Sequence, residues 1–171
     1  MWAFDATPLI YLAKVDFLSE LSALDESCVI PERVYGEVVE TGIEQGYPDA
    51  RRIERCVDDG LFDVVAVEET PTFERLQRNP NLSDADVSVL ACAADVEGVA
   101  VMDETHGRDV AATEGITTRG TAYIVLLCAS REVIDADEAR AVIDEMVDSG
   151  WYCVPNTYAK IVRRIETIQN E

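Results

Sequence analysis

The sequence predicts an α/β fold in which helices cover a central parallel sheet. Two short apolar runs, at residues 2–4 and 99–102, each stop at an aspartate, Asp5 and Asp103. Runs of this length without alternation are typical of strands buried on both faces, as in parallel sheets covered by helices. Because parallel strands share one direction, both aspartates should lie at the same carboxyl edge. That edge is where open α/β sheets bind ligands.

Helices and strands alternate through the first half of the chain. We expect a helix after the first strand, with Thr7 as its cap and Pro8 as its first residue. Proline is tolerated there because amides in the first helical turn have no partner within the helix, so its missing N–H costs nothing. The stretch 68–81 is polar and contains prolines at positions 71 and 80, so we expect it to be irregular. The other predicted elements are a helix at 17–24, a strand at 28–30, a helix at 31–39, a helix at 49–58 and a strand at 61–67.

The second half of the chain continues this alternation. Apolar residues at positions 87, 90, 91 and 94 specify an amphipathic helix that opens at Ser83. After the strand that stops at Asp103, the sequence predicts a short helix near 110, a strand at 116–118 and a helix from Thr121. Two further helices follow. The length favours one domain, residues 1–171, with residues 132–171 as a C-terminal helical extension.

The charge balance is extreme, with 34 acidic and 14 basic residues and a formal net charge of −20. Such a charge disfavours binding of a polyanion at low salt. We interpret it as a surface adaptation to very high salt, where the Debye length falls to about 3 Å at 1 M. A halophilic source is therefore expected, and charge alone says little about the partner.

The five cysteines are widely spaced and contain no Cys-x-x-Cys pair. We expect most of them to be small buried apolar residues. The longest apolar stretch, residues 122–129, is far shorter than the roughly 20 residues that a membrane span needs, and no signal-peptide pattern is present. A reduced, cytoplasmic protein without a membrane partner is expected.

Four acidic positions fall where a parallel sheet and its flanking helices could bring them together. Carboxylates that converge raise each other's pKa values, and a divalent cation relieves this conflict. Mg²⁺ and Mn²⁺ prefer oxygen ligands and keep several waters, so a few carboxylates suffice to hold them. A bound ion of this kind supports phosphodiester chemistry. The four positions are Asp5, Glu37, Asp86 and Asp103, with Asp84 and Glu104 as neighbouring alternatives.

Each of these acids also has a structural explanation. Asp5 precedes a helix and could favour its positive end. Asp86 lies three residues after Ser83, which is the spacing of a capping box. Glu37 could be an ordinary exposed glutamate. The adjacent Asp103 and Glu104 leave the choice of ligand open, and the lone histidine, His106, could reach a phosphate or be incidental.

Four stretches resemble, in order and spacing, the successive motifs of PIN-domain proteins. The resemblance is strongest to the branch called domain of unknown function 3368, which is kin to the toxin nucleases of toxin–antitoxin pairs. In that branch the Gly120-Thr121 turn and a segment such as Gly150-Trp151 to Tyr158 also recur. The four stretches are DATPLIYL at 5–12, IPERVYGEV at 30–38, LSDADVSVLA at 82–91 and MDE at 102–104.

The resemblance implies a three-layer α/β/α sandwich with a central, mostly parallel sheet, and an endoribonuclease site that depends on Mg²⁺ or Mn²⁺. It also implies a supporting role for Thr121 and a hydrogen bond from the Thr7 hydroxyl to Asp5. The chain has Met102-Asp103-Glu104 where many relatives have Thr-x-Asp, which leaves open the fourth ligand. The implied catalytic acids are Asp5, Glu37, Asp86 and Asp103, and the implied metal ligands are Asp5, Asp86, Asp103 and Glu104.

The partners expected from this resemblance are an RNA substrate, an antitoxin protein and a second copy of the chain in a homodimer. Candidate phosphate contacts are the arginines at positions 51, 52, 55 and 108, namely Arg51, Arg52, Arg55 and Arg108. For the three arginines on the predicted helix 49–58, an exposed surface with salt bridges to the many neighbouring acids is an equally good explanation. The alternative function is a catalytically weak PIN-like module that binds nucleic acid or protein. An aspartate-based phosphotransferase is disfavoured, because a second nearby aspartate is missing.

Overall fold

A five-stranded, all-parallel sheet in the order β3-β2-β1-β4-β5 forms the centre of the computed structural model, which describes residues 1–171. Ten α-helices surround this sheet, so the predicted α/β/α sandwich is confirmed. β1 lies in the middle, where Trp2 is in register with Cys28 of β2 and Val99 of β4. The strands are β1 Trp2–Phe4, β2 Cys28–Pro31, β3 Phe62–Val65, β4 Val99–Val101 and β5 Thr117–Arg119.

The helices connect consecutive strands and extend beyond the last one. A 3₁₀ helix, Leu18–Leu24, precedes β2, and a π-helical segment, Gly36–Glu40, joins α2 to α3. The α-helices are α1 Ala6–Lys14, α2 Glu32–Tyr35, α3 Thr41–Glu44, α4 Pro48–Asp58, α5 Pro71–Gln77, α6 Asp84–Asp95, α7 Thr105–Thr113, α8 Thr121–Ser130, α9 Ala136–Asp148 and α10 Pro155–Gln169.

The first helix begins two residues earlier than predicted. Asp5, not Thr7, is its N-cap residue, with an extended backbone at φ −82° and ψ 170°. The Asp5 amide donates to the Val101 carbonyl at 3.0 Å, which continues the pairing of β1 with β4 up to the helix. The prediction for Thr7 was wrong because the strand passes into the helix at Asp5 without an intervening loop.

The prediction of an irregular stretch at 68–81 was also wrong, because helix α5 lies within it. Thr70 caps this helix, and its hydroxyl oxygen accepts a hydrogen bond from the Phe73 amide at 3.2 Å. Pro71 occupies the first turn, where proline opens a helix and does not break it. Leu76 is fully buried, so one apolar side chain anchors α5 to the core.

The C-terminal helices belong to the same hydrophobic core as the sheet. A cluster of 42 buried residues includes Phe4 and Leu90 together with Met146 of α9 and Ile165 of α10. All five cysteines are free, and Cys28, Cys92 and Cys128 are buried as expected. None of the helices combines the length and apolar character that crossing a membrane requires.

Candidate functional site

Two adjacent strands each deliver an aspartate to the carboxyl edge of the sheet. Asp5 directly follows β1, and Asp103 lies two residues beyond β4. The two strands are parallel and in register, with Phe4 opposite Val101. The two aspartates therefore share one edge, as the apolar runs predicted.

Of the two aspartates at this edge, Asp5 is the buried one. Its residue surface is only 7 % exposed, although it is an acid. Burial raises the pKa of Asp5 to about 7, the Ala6 amide opposes this rise, and the charges of Asp86, Glu37 and Asp103 add to it. The charges of all three other predicted acids therefore act on Asp5, and the sheet gathers the four acids in one neighbourhood.

Asp103 is held in place by three hydrogen-bond donors. The Thr121 amide donates to Oδ1 at 2.7 Å, and the Thr121 hydroxyl donates to Oδ2 at 2.6 Å. The indole N–H of Trp151 donates to Oδ2 at 2.9 Å. Thr121 is fully buried at the first position of α8, so it can serve as a fixed support for the carboxylate.

The approach of Asp103 to the start of α8 depends on a glycine. A Cβ atom at Gly120 would lie 2.9 Å from Asp103 Oδ1, which is closer than real Cβ contacts. The backbone of Gly120 has φ −89°, a value that any residue can adopt. Glycine is therefore needed here because a side chain would occupy the space of the Asp103 carboxylate.

The capping-box explanation of Asp86 is confirmed. Its Oδ2 accepts a hydrogen bond from the Ser83 amide at 2.9 Å, and the Ser83 hydroxyl oxygen accepts one from the Asp86 amide at 3.0 Å. This capping box begins α6. The box uses one carboxylate oxygen, the other makes no hydrogen bond, and the Asp86 charge contributes to the raised pKa of Asp5. The cap thus orients the acid.

Glu37 lies in the π-helical segment that follows β2, and its side chain is exposed. It makes no side-chain hydrogen bond within the protein, while its charge still acts on Asp5. Widened π turns inside helices are frequent at functional sites. Nothing in the local sequence predicted this turn.

Glu104 and Asp84 have other roles. Glu104 caps α7, with Oε1 accepting from the His106 amide at 2.9 Å and Oε2 accepting from the Gly107 amide at 2.6 Å. Asp84 forms an exposed salt bridge with Arg33 at 3.2 Å. The geometry therefore favours Asp103 over Glu104 as the acid that the fourth motif supplies to the site.

The predicted hydrogen bond from Thr7 to Asp5 is not formed, since the Thr7 hydroxyl makes no hydrogen bond at all. Thr7 is the second residue of α1, beyond the N-cap position of Asp5. Its expected support of Asp5 is therefore corrected.

The arginines of α4 do not gather at the acidic edge. Arg52 donates to the carbonyls of Ala13 and Lys14 at 2.7 and 3.1 Å, at the C-terminal end of α1. That end lies about 13 Å along the helix from Asp5, toward the opposite edge of the sheet. Arg51 pairs with Glu54 at 3.0 Å, and Arg55 is exposed one turn beyond Arg51. Arg52 therefore caps the C-terminal end of α1, away from the acidic edge, and the phosphate contacts of the α4 arginines stay a prediction.

Arg108 is the predicted arginine that does reach the site. A Cβ atom at Gly120 would lie 3.5 Å from Arg108 Nη1 and 2.9 Å from Asp103 Oδ1, so both side chains border Gly120. Arg108 is exposed and forms no salt bridge. On the same helix, the Nε2 atom of His106 is buried without a hydrogen-bond partner.

The acids suit a hard divalent cation in their chemistry, because all of them offer carboxylate oxygens. As the side chains stand, no group of three His, Cys, Asp or Glu residues converges closely enough to enclose a metal ion. Closing a ligand set would require side-chain rotation, and neither the Glu37 carboxylate nor the second Asp86 oxygen is held by a hydrogen bond. The donor set therefore fits the ion, while the cage itself is not preformed.

A comparison with family models identifies the chain. The model of the group called domain of unknown function 3368, which is described as a PIN domain, matches residues 1–167. The chain belongs to the PIN-domain family. PIN domains are generally nucleases and typically use divalent metals, which agrees with the oxygen donors gathered at the sheet edge.

One solved structure similar to this PIN domain is the crystal structure of PAE2754 from Pyrobaculum aerophilum. It is 20 % identical, has a TM-score of 0.48, and the match covers 68 % of this chain and 89 % of that one. A comparison with curated proteins gives no match.

Trp151 is the site residue that reasoning from the residues alone did not assign. Its hydrogen bond to Asp103 joins positions that are 48 residues apart. The recurring Gly150-Trp151 segment of the PIN-like branch was the one available signal, and it carried no role. In this PIN domain the C-terminal extension therefore reaches into the acidic site.

Proposed function

We propose that this PIN domain is an endoribonuclease that depends on Mg²⁺ or Mn²⁺ and hydrolyses phosphodiester bonds. The observation that supports this proposal is the buried Asp5, whose pKa is raised to about 7 by burial with the charges of Asp86, Glu37 and Asp103 added. An acid in this setting either keeps a proton or shares a cation with its neighbours. A hard cation lets all the carboxylates stay ionised.

In this proposal Asp5, Asp86 and Asp103 hold the ion and Glu37 stands beside it. The bound ion would clamp a phosphodiester and lower the pKa of a water. Thr121 and Trp151 hold Asp103 in one orientation. Ser83 holds Asp86, and the exposed Glu37 carboxylate is free to accept a proton or to complete the ligand set.

Arg108 supplies the positive charge that a phosphate group needs at this edge. Its exposed guanidinium borders Gly120, as Asp103 does, and is not consumed by a salt bridge. Arginine suits phosphate recognition because its planar group donates several hydrogen bonds at once. We therefore place the RNA backbone across α7, and not across the arginines of α4.

The test is a cleavage assay on mixed RNA at molar KCl with Mn²⁺, Mg²⁺ or EDTA. The wild type should cleave with either ion and not with EDTA. Asp5→Asn should lower the rate at least about 100-fold, because it removes the central carboxylate. Asp84→Asn is the matched control, since Asp84 lies near the same capping box but pairs with Arg33 on the surface, and it should cleave as the wild type does. Cleavage in EDTA, or full activity of Asp5→Asn, would contradict the proposal.

We further propose that the nuclease acts as the toxin of a toxin–antitoxin pair and forms a homodimer. The support is the resemblance of the four motifs to the toxin-related branch. Expression in a host cell should arrest growth, the arrest should disappear with Asp5→Asn, and sedimentation should report a dimer. Growth that is unaffected by the wild-type chain would contradict the toxin role.

A second candidate function is a catalytically weak module that binds nucleic acid or a protein partner. Two observations favour it: the three donors on Asp103, and the lack of three acids close enough to enclose an ion. Asp5→Ala separates the two functions. An enzyme would lose cleavage that depends on Mn²⁺, whereas a binding module without activity would keep its partner affinity.

A further inference from the structure

Trp151 connects the C-terminal extension to the acidic site. Its residue surface is 7 % exposed, so the indole lies in the core with its N–H on Asp103 Oδ2 at 2.9 Å. Thr121 fixes the same oxygen from α8 at 2.6 Å. Two buried donors from different parts of the chain thus converge on one carboxylate oxygen and limit its rotation.

The end of α9 is built to place this indole. Gly150 adopts φ +102°, a conformation that favours glycine, directly after the helix. The Gly150 amide donates to the Val147 carbonyl at 3.0 Å and the Trp151 amide to the Met146 carbonyl at 2.9 Å. This pair of bonds is the Schellman pattern of helix termination. The turn therefore sends Trp151 back toward the sheet.

One contact holds the loop that carries Trp151, and a second joins the helices that flank it. The Tyr11 hydroxyl of α1 donates to the Gly150 carbonyl at 3.1 Å, which ties the loop to the helix that follows Asp5. Within the extension, the Tyr158 hydroxyl of α10 donates to Asp144 Oδ1 of α9 at 2.5 Å, which joins the two helices on either side of the loop. The loop itself is thus held by α1, and its two flanking helices are held to each other.

We propose that Trp151 is a positioning residue that sets the orientation of Asp103 for metal binding, and that the helical extension serves to hold it there. This inference rests on the proposed function. Residues that orient metal ligands from outside the ligand set typically contribute 10- to 100-fold in metal affinity or activity. Removal of the indole N–H should therefore weaken metal binding without unfolding the domain.

The first experiment uses the indole N–H signals of the metal-free protein. The chain contains two tryptophans, Trp2 and Trp151, so a ¹⁵N spectrum shows two indole signals, and Trp151→Phe assigns them. Asp103→Asn should shift the Trp151 signal and leave the Trp2 signal in place, while Asp84→Asn should shift neither. If the Trp151 signal does not shift in Asp103→Asn, the hydrogen bond is refuted, independently of the result for metal binding.

The second experiment measures Mg²⁺ affinity by calorimetry below the melting temperature of every variant. Trp151→Phe keeps an aromatic ring in the core, and it should bind Mg²⁺ about tenfold more weakly or worse. Tyr158→Phe is the control, because it loosens the same extension without touching Asp103, and it should bind Mg²⁺ as the wild type does.

The outcomes of the calorimetry separate the two proposals. Affinity that is unchanged in Trp151→Phe, or lowered equally in Tyr158→Phe, would overturn the positioning role while the metal site itself stands. Failure of the wild type to bind Mg²⁺ would instead contradict the proposed function and the positioning role with it.

Discussion

Asp103 and Thr121 are joined by two hydrogen bonds, one of 2.7 Å from the Thr121 amide and one of 2.6 Å from its hydroxyl. The contact links the end of β4 to the first residue of α8, where the free amides of the helix favour a negative charge. The buried hydroxyl has no other hydrogen-bond partner in the protein. The strength of this contact can therefore be measured directly.

Thr121→Val is expected to lower the free energy of unfolding by about 1.5–3 kcal/mol, which is typical for a hydrogen bond to a charged group. Valine keeps the shape of the side chain and removes the hydroxyl. Urea denaturation at neutral pH measures the change. Thr121→Ser, which restores the hydroxyl, should recover most of the stability, and equal losses in the two variants would assign the effect to packing.

Gly120→Ala is expected to weaken Mg²⁺ binding and RNA cleavage by about tenfold or more. The new Cβ would approach Asp103 Oδ1 to 2.9 Å, so the carboxylate would have to shift from the position in which Thr121 and Trp151 hold it. Calorimetry with Mg²⁺ checks this prediction. Gly36→Ala is the control, because its Cβ would meet only Glu40 at 3.5 Å, and it should bind Mg²⁺ normally.

The stability of the metal-free protein should depend on Asp5 in a defined pH window. Burial raises the pKa of Asp5 from 3.8 to about 7, so the folded state holds a proton that the unfolded state releases. Asp5 therefore stabilises the fold fully below pH of about 4, and this contribution is lost as the pH rises to about 7. The loss is on the order of 4 kcal/mol.

The Asp5→Asn variant exposes this contribution, because its amide does not ionise. In EDTA it should be more stable than the wild type at pH 8, and the difference should shrink as the pH falls to 5. Urea denaturation of both proteins across this range makes the comparison. A difference that is constant with pH would show that the pKa of Asp5 is not raised.

Much of this site could be predicted because its signals are local. Apolar runs that stop at Asp5 and Asp103 identify buried strands and their shared edge. The resemblance of the four motifs predicts that Glu37 and Asp86 belong to the same site. Helix α5 was missed because Pro71, Pro80 and the polar residues around them suggest a loop. Only the burial of Leu76 in the folded chain reveals the helix.

Contacts between distant segments could not be predicted. The spacing of Arg51, Arg52 and Arg55 reports a shared helix, but it does not reveal that Arg52 closes the end of α1. The hydrogen bond from Trp151 to Asp103 likewise depends on how α9 ends and packs, which no local pattern encodes. Residue patterns identify the acids, and tertiary packing selects the groups that orient them.

The high negative charge predicts a strong dependence of stability on salt. With a net charge of −20, repulsion across the surface destabilises the fold at low ionic strength, and molar KCl screens it. The melting temperature should rise from 0.1 to 2 M KCl. The rise should be smaller at pH of about 4, where a large fraction of the carboxylates is protonated. A melting temperature that does not change with KCl would contradict the proposed adaptation to salt.

The most direct test of the shared acidic site is calorimetric titration of the purified protein with Mn²⁺, with Asp5→Asn and Asp84→Asn measured beside it. If Asp5, Asp86 and Asp103 hold one ion between them, the wild type and Asp84→Asn bind Mn²⁺ with equal affinity, and Asp5→Asn does not bind it. Equal binding by all three proteins, or binding by none, would contradict the account.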